Sequence, residues 1–257
     1  MGRGREPVDP AVLRRRLRHV YWIGGGSGAG KSTVARRLAA RHGLRPFATD
    51  DVMADHARRS TPGDSPLLAA FLAMSMDERW ALRSPETMLE TFHWFRGEGF
   101  GLIVEDLLGL PAGPAEPADP GEPAAPAGSA EPAQPAEPAA PGEPVGPAVP
   151  AAGVVVEGFR LLPHLVQPLL AGPRHAVWLL PTPAFRRAAF DARGSTWRIA
   201  GATGDPERAL RNLLARDAMF TDRLREETRR LDLPVVDVDV PMTVDDLTAR
   251  VTDAFGL

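Results

Sequence analysis

The sequence predicts an α/β protein in which helices cover both faces of a five-stranded parallel sheet. Five short apolar runs are separated by segments with helical spacing, a pattern typical of buried parallel strands joined by helical crossovers. A glycine-rich loop follows the first run, and one long proline-rich stretch interrupts the alternation. Because strands and helices alternate again after that stretch, we interpret it as an insertion into a single domain.

The apolar runs locate the strands, and helical periodicity locates the helices. Strands are predicted at 19–23 (HVYWI), 45–49, 153–157, 176–180 and 234–238. Helices are predicted at 10–18, at 31–42, within 66–109 with breaks near Arg83 and Gly97, at 162–171, at 183–192, at 205–230 and after Thr243. Ser84-Pro85-Glu86 is typical of a helix start, and Thr243 with Asp246 resembles a capping box.

Composition excludes several classes of protein. The net charge is -3, so no overall basic field points to nucleic acid, and the absence of cysteine excludes disulfides and thiolate sites. No run approaches the roughly 20 apolar residues of a membrane span. The N-terminal segment lacks the apolar stretch of a signal peptide. We therefore expect a soluble protein of the cytoplasm.

The proline-rich stretch at 111–152 differs from the rest of the chain. It holds 13 of the 27 prolines, mostly three residues apart, with alanine, glycine and glutamate between them. Glycine does not occupy every third position, which excludes collagen. With almost no apolar side chains to bury, the stretch is predicted to be a disordered loop rich in polyproline II.

The glycine-rich loop carries the most specific motif in the chain. It reads Gly25-x-x-x-x-Gly30-Lys31-Ser32 and lies between a predicted strand and a predicted helix, as a phosphate-binding loop requires. Lys31 is the only lysine in the chain, although there are 30 basic residues. We expect backbone amides to wrap a phosphate chain, Lys31 to bridge the β- and γ-phosphates, and Ser32 to ligate Mg²⁺. The predicted nucleotide-binding residues here are Gly25, Gly26, Ser27, Gly28, Ala29, Gly30, Lys31, Ser32 and Thr33.

Two acidic motifs accompany this loop. Asp50 and Asp51 follow the second predicted strand, and the third predicted strand ends in Glu157-Gly158. Together with the loop, these motifs resemble the small-molecule and nucleoside kinases of the phosphate-loop superfamily, most closely the uridine-kinase-like group. GTPases are disfavoured because the chain has no second lysine for an Asn-Lys-x-Asp motif, and an ABC-type signature is absent.

The resemblance implies a P-loop NTPase fold with the strand order 2-3-1-4-5. It covers roughly 20–60 and 153–257, so 1–110 and 153–257 would form one domain, with a helical acceptor-side insertion at 60–110. It also implies that Asp50, with Asp51 beside it, lies near the acceptor hydroxyl and that Glu157 lies near magnesium. Two plainer interpretations stay open: Asp50-Asp51 caps the next helix, and Glu157 is an ordinary acid at a strand end.

Arginines are expected to supply the remaining positive charge, because phosphoryl transfer depends on electrostatic stabilisation. Arg186 and Arg193 lie between the fourth and fifth predicted strands, where the resemblance implies a lid. Arg216 lies one helical turn after Asn212 and is expected to face the nucleotide. Since almost every basic residue is arginine, the individual assignments rest on position alone.

The acceptor region is less specific. A dense aromatic cluster lies within 67–100, and His93 and Arg96 are candidate acceptor contacts there. Arg160, directly after Glu157-Gly158-Phe159, is another candidate. Core packing of a helical cap would explain the aromatic cluster equally, and Arg160 could be a surface arginine.

These features predict an ATP- and Mg²⁺-dependent phosphotransferase that moves the γ-phosphoryl group to a hydroxyl of a small molecule or nucleoside. Nucleic-acid and membrane partners are not expected. The alternative is a nucleotide-dependent regulatory ATPase that acts through a protein partner, with the proline-rich loop as its docking element. Acceptor-dependent consumption of ATP would separate the two.

Overall fold

Both halves of the chain contribute to one parallel sheet. The computed structural model describes residues 9–110, 153–193 and 198–257, with the backbone alone at 189–193, so the loop predicted at 111–152 lies outside the described residues. The strands are β1 (Val20–Gly25), β2 (Leu44–Ala48), β3 (Gly153–Glu157), β4 (Ala176–Pro181) and β5 (Val235–Val238). They are all parallel and lie in the order β2-β3-β1-β4-β5, which confirms the predicted architecture.

Helices connect the strands and flank the sheet. In chain order they are α1 (Pro10–Arg16), α2 (Lys31–His42), α3 (Met53–Arg59), α4 (Pro66–Ala73), α5 (Met76–Trp80), α6 (Pro85–Thr91), α7 (Phe100–Gly109), α8 (Pro163–Val166), α9 (Pro183–Arg193), α10 (Arg198–Gly201), α11 (Pro206–Arg230) and α12 (Val244–Phe255). Short 3₁₀ helices occupy His93–Arg96, Gln167–Leu169 and Pro173–His175. No helix in the described ranges is both long and apolar enough to cross a membrane.

Alternating side chains of the strands build two cores. On β1, Trp22 packs into the core on the side of the α3–α7 helices, and Ile23 packs into the opposite core with α2 and α12. On β4, Trp178 packs into the same core as Trp22, and Leu179 packs into the same core as Ile23. This alternation follows from the two-residue period of a strand. Because both faces are covered, all five residues of β3 are buried, which explains its continuous apolar sequence.

The helices between β2 and β3 are shorter than periodicity predicts. The predicted breaks near Arg83 and Gly97 are present, and a further break follows α4, where Ser75 starts α5 with a full capping box. Helix α3 was not predicted, because its seven residues (MADHARR) are too few and too polar to show a clear apolar period. Apolar side chains of these short helices pack together into one core on this face of the sheet.

The strand order determines where a ligand can bind. In an all-parallel sheet every strand ends at the same edge, and β1 lies between β3 and β4. After β1 the chain adds β2 and β3 on one side of β1, and it then crosses to add β4 and β5 on the other side. Open α/β sheets bind ligands in the crevice at such a switch point, outside the carboxyl ends of the strands. Here the glycine-rich loop follows β1 at that position.

Candidate functional site

The glycine-rich loop turns tightly against β4. Gly25 has a φ of 130°, and a Cβ atom added there would lie 2.1 Å from the carbonyl oxygen of Leu179. A side chain at this position would therefore be excluded by both backbone conformation and space. At the other end of the loop, Gly30 is the N-cap of α2 and supplies no side-chain cap, so the first amides of a 12-residue helix are available to an anion.

Lys31 folds back across this loop. Its side chain is only 8% exposed, and its Nζ donates a hydrogen bond of 2.8 Å to the carbonyl oxygen of Gly26. Burial raises the pKa values of two nearby carboxyls, Asp50 and Glu157, and the charge of the same ammonium opposes that rise. The single lysine of the chain thus places its positive charge against the glycine-rich loop and near both carboxyls.

Glu157 lies at the end of β3, between its register partners Ile23 on β1 and Ala48 on β2. It is 3% exposed, and the Ser32 hydroxyl is near enough to favour its ionised form. Burial raises the pKa of Glu157, and the charge of Lys31 opposes that rise. Glu157 is therefore not an ordinary exposed acid at a strand end.

Asp50 follows β2 at the same edge of the sheet. Burial raises the pKa of its carboxyl, while the charges of Lys31 and Arg160 oppose the rise. The carboxyl also raises the pKa of Glu157, so the two acids share one electrostatic site. Asp51, its neighbour, is exposed.

The plainer interpretation of Asp50 and Asp51 as a helix cap does not fit the geometry. The N-cap of α3 is Val52, and it makes no side-chain cap hydrogen bond. The Thr49 hydroxyl donates to Oδ1 of Asp50 at 3.4 Å. The acidic pair therefore lies in the turn before the helix without capping it.

Close contact between β2 and β3 explains the Glu-Gly sequence. Gly158 has a φ of 152°, and a Cβ atom there would lie 1.7 Å from Oγ1 of Thr49. The amide of Thr49 in turn donates to the carbonyl oxygen of Glu157. A glycine after Glu157 lets the turn that carries Asp50 approach the end of β3.

The side-chain oxygens of Ser32 and Glu157 at this edge of the sheet are suitable ligands for Mg²⁺. The Ser32 hydroxyl and the Glu157 carboxylate lie close together, and both offer oxygen ligands, which Mg²⁺ prefers. In the described ranges no group of three or more His, Asp or Glu could hold a metal ion. A nucleotide-bound Mg²⁺ needs only one or two protein ligands, because phosphates and waters supply the rest. The residues present therefore fit such an ion.

Arg160 is buried, and its charge acts on Asp50. Its guanidinium donates to the carbonyl oxygens of Thr49 (3.2 Å) and Gly99 (3.3 Å), and Nη2 is 2.9 Å from Nδ1 of His56. It also stacks over Trp94, with Cζ 4.0 Å from the ring centroid. Burial lowers the pKa of Arg160 to about 10. This position makes Arg160 an electrostatic partner of Asp50 and a link to the helical layer, not a surface arginine.

His56 and Asp106 extend this network and were not predicted. His56 is fully buried, and its Nε2 is 2.7 Å from Oδ2 of Asp106 on α7. Because Arg160 can only donate, Nδ1 of His56 accepts and Nε2–H donates to Asp106. Burial lowers the pKa of His56, in keeping with this neutral form. No sequence pattern joins residues so far apart in the chain.

Arg186 is the predicted lid arginine that lies near the glycine-rich loop. It is buried on α9, and Nη2 donates to Oγ1 of Thr221 at 2.5 Å. A Cβ atom added to Gly26 would lie 2.8 Å from the same Oγ1, so Thr221 lies against the glycine-rich loop. One side chain therefore separates Arg186 from the loop. Arg193 ends α9, but its side chain lies outside the described part of the chain.

Arg216 and Asn212 face the helical layer. The guanidinium of Arg216 bonds its neighbour Asp217 and lies 4.8 Å and 5.0 Å from the ring centroids of Phe92 and Phe95. Asn212 donates to three carbonyl oxygens at the end of α5 and in the turn after it: Trp80, Ala81 and Arg83. These contacts hold helices together, and they give no support to the expectation that Arg216 contacts the nucleotide.

The candidate acceptor residues divide into two environments. His93 is buried, and it lines an apolar pocket of about 130 Å³. Arg96 is exposed and pairs with Glu90 at 3.4 Å, and it does not line that pocket. Most residues of the predicted aromatic cluster pack in the core, and several of them also line the pocket. Core packing and a role in a pocket therefore each describe part of the cluster.

Comparison with protein-family models and with curated proteins finds no match to this chain. The interpretation of the site therefore depends on its geometry and chemistry.

Proposed function

We propose that this protein is an ATP- and Mg²⁺-dependent phosphotransferase of the P-loop NTPase fold that phosphorylates a hydroxyl of a small molecule. One observation carries the proposal: Lys31, Ser32, Asp50 and Glu157 meet beside the glycine-rich loop at the carboxyl edge of the sheet. The loop can bind phosphate, and Asp50 supplies a base where an acceptor would lie. A cytoplasmic location is part of the proposal, and the absence of cysteine is compatible with it.

The residues near the loop would bind the nucleotide. The amides of the loop and of the first turn of α2 hold the phosphate chain, as at other helix N-termini. Lys31 exchanges its hydrogen bond to the Gly26 carbonyl for one to the β- and γ-phosphates. Ser32 and Glu157 would hold Mg²⁺, which neutralises charge on those phosphates.

The transfer itself needs a base and positive charge. The acceptor oxygen forms a bond to the γ-phosphorus, the bond from that phosphorus to the ADP oxygen breaks, and the hydroxyl proton passes to Asp50. The raised pKa of Asp50 makes its carboxylate a stronger base than an exposed aspartate. Lys31 and Arg186 lie where they could stabilise the charge on the transferred group.

The decisive test combines an acceptor screen with substitution of the lysine. Purified protein is incubated with Mg-ATP and panels of nucleosides, sugars, hydroxylated cofactors and aromatic alcohols, and ADP formation is measured. We expect one class to stimulate ADP formation. Lys31→Met should lower that rate at least about 100-fold, comparable to the loss of a transition-state hydrogen-bond donor. It should also abolish the increase in melting temperature caused by Mg-ATP.

Two outcomes would contradict the proposal. Unchanged turnover in Lys31→Met would exclude the loop as the phosphate site. Slow ATP hydrolysis that no acceptor stimulates, but that a protein partner changes, would favour the regulatory ATPase instead. Arg37→Met is the matched control, since Arg37 is a half-exposed cation of α2 paired with Asp245.

A further inference from the structure

The pocket lined by His93 adjoins the proposed site for transfer. It lies between α3, α4, α5, α10 and the 3₁₀ helix at His93–Arg96. Helix α3, which contributes Met53 and Ala57 to the wall, begins directly after the turn that carries Asp50. Trp94, another wall residue, stacks on Arg160, whose charge acts on Asp50. Asp50 and Arg160 do not line the pocket themselves, and α3 and Trp94 connect its wall to them.

The walls of the pocket are largely apolar and aromatic. Leu68, Phe71, Trp80 and Phe92 contribute side chains, and the charged residues of the lining are both arginines, Arg79 and Arg198. Arg79 already donates to the carbonyl oxygens of Phe71 and Leu72. Among the residues that the structure describes, the lining contains no carboxylate that could pair with a cation. Such walls favour an apolar ligand that is neutral or anionic.

The volume limits the size of that ligand. At about 130 Å³, the pocket is close to an engineered apolar protein cavity of about 150 Å³ that binds benzene. One six-membered ring therefore fits inside it. A nucleoside is larger and would bring several hydroxyl and amide groups into walls that cannot satisfy them.

His93 provides a polar group inside this apolar wall. It is 2% exposed, and Nδ1 is buried without a hydrogen-bond partner. Burial and the charges of Arg160, Arg216 and Arg79 lower the pKa of His93 to about 3, so the ring is neutral near pH 7. A neutral imidazole has one N–H donor and one acceptor nitrogen, and because Nδ1 is enclosed, a ligand would bond it after the ring turns towards the pocket.

We propose that the pocket binds the acceptor and that the acceptor is a small, apolar alcohol with a body of one ring, neutral or anionic. The ring packs against Phe71 and Trp80, a polar substituent bonds His93, and the hydroxyl extends towards Asp50. This assignment rests on the proposed phosphotransferase function and specifies its substrate class. It disfavours nucleosides, sugars and cationic acceptors.

Binding of benzyl alcohol to the nucleotide-free protein tests the pocket separately from the chemistry. Ligand-observed NMR or calorimetry gives the dissociation constant for the full chain and for two variants of α3. Ala57→Leu places a larger side chain in the pocket wall, and Ala54→Leu makes the same change on α3 at a residue outside the lining. We expect Ala57→Leu to weaken binding at least about tenfold and Ala54→Leu to change it less than about twofold.

A second comparison tests His93. His93→Phe keeps a ring and removes the nitrogen atoms, so it should weaken binding of 3-hydroxybenzyl alcohol more than binding of toluene. Equal losses for both probes would overturn the role of His93 as a ligand contact. A circular-dichroism melt of each variant verifies that the fold persists.

The outcomes also distinguish the pocket from the proposed function. Absence of benzyl alcohol binding, or binding that Ala57→Leu leaves unchanged, would overturn the pocket inference even if another alcohol is phosphorylated. Phosphorylation of a nucleoside or sugar with a rate insensitive to Ala57→Leu would overturn it as well. Benzyl alcohol binding with the expected loss in Ala57→Leu would support the pocket, and if no alcohol then stimulated ADP formation, the proposed function alone would fail.

Discussion

Asp50 is the side chain whose chemistry can be separated most clearly from its structural role. It does not cap α3, so asparagine can replace it without removing a helix cap. A general base typically contributes about 10²- to 10⁴-fold to a rate. Asp50→Asn should therefore lower kcat for the acceptor at least about 100-fold with little change in ATP affinity. Asp51→Asn is the control, because Asp51 is exposed, and its kcat should stay within a few-fold of wild type.

The same variant should respond to pH in a defined direction. Burial raises the folded-state pKa of Asp50 above its ordinary 3.8, so the ionised carboxyl costs the fold free energy near pH 7. Without nucleotide, Asp50→Asn should melt at a higher temperature than wild type near pH 7, and the difference should shrink as the pH falls towards 4. Wild-type kcat/KM should also decline on the acid side at a pH above 3.8. A constant difference in melting temperature across this range would contradict a raised pKa.

Among the helices, α11 organises the layer above the sheet. Asn212 reaches across to the carbonyl oxygens of Trp80, Ala81 and Arg83, which connects α11 to α5 and the turn before α6. Asn212→Leu keeps the size of the side chain but leaves those carbonyls without this donor. We expect a loss of about 1–3 kcal/mol in the free energy of unfolding. Chemical denaturation measures this change.

A nucleotide contact at Asn212 would give a different result. If the residue only ties helices together, Mg-ATP should raise the melting temperature of Asn212→Leu as much as that of wild type. A lost ATP response with unchanged stability would restore the expectation that this part of α11 faces the nucleotide. Arg211→Ala is the matched control, since Arg211 is exposed and its contact with Glu207 is 3.8 Å long, so its effect should stay within about 0.5 kcal/mol.

For the chain as a whole, the proline-rich stretch separates two parts of one sheet. Helix α7 ends at Gly109, and β3 begins at Gly153. Replacing 111–152 by about 12 Gly and Ser residues should preserve the fold, because the stretch offers few apolar side chains to a core. Loop closure costs about 0.6 kcal/mol per doubling of length, so the shorter chain should be stabilised by about 1 kcal/mol.

Activity of the shortened chain completes this test. ADP formation with the acceptor should match that of the full chain, since every residue of the proposed site lies outside 111–152. A shortened protein that is unstable would show that the stretch contributes to the core. A stable but inactive one would give the stretch a functional role and would strengthen the regulatory alternative.

Local patterns determined the architecture of this protein. The apolar runs predicted all five strands: β3 and β4 are buried throughout and β1 nearly so, as strands covered on both faces require, whereas the edge strands β2 and β5 are only partly buried. The glycines and the single lysine identified the loop, since a Cβ at Gly25 would overlap the Leu179 carbonyl and Lys31 places a compact charge inside the loop. The motif from Gly25 to Ser32 is one short continuous segment, so the sequence by itself shows it, whereas the contact of Gly25 with Leu179 appears only in the fold.

Only the tertiary structure decided which side chains surround the acids. Arg160 could be a surface residue in the sequence, yet it joins Thr49, His56 and Gly99 in the core. Arg216 has the spacing of a nucleotide contact, yet aromatic rings enclose it. Burial, pKa shifts and the apolar pocket arise from contacts between segments distant in the chain, and the strand order sets those contacts. A pattern within one segment does not show which distant segment packs against it. The glycine-rich loop could therefore be predicted from the sequence, whereas the burial of Arg160 and Arg216 could not.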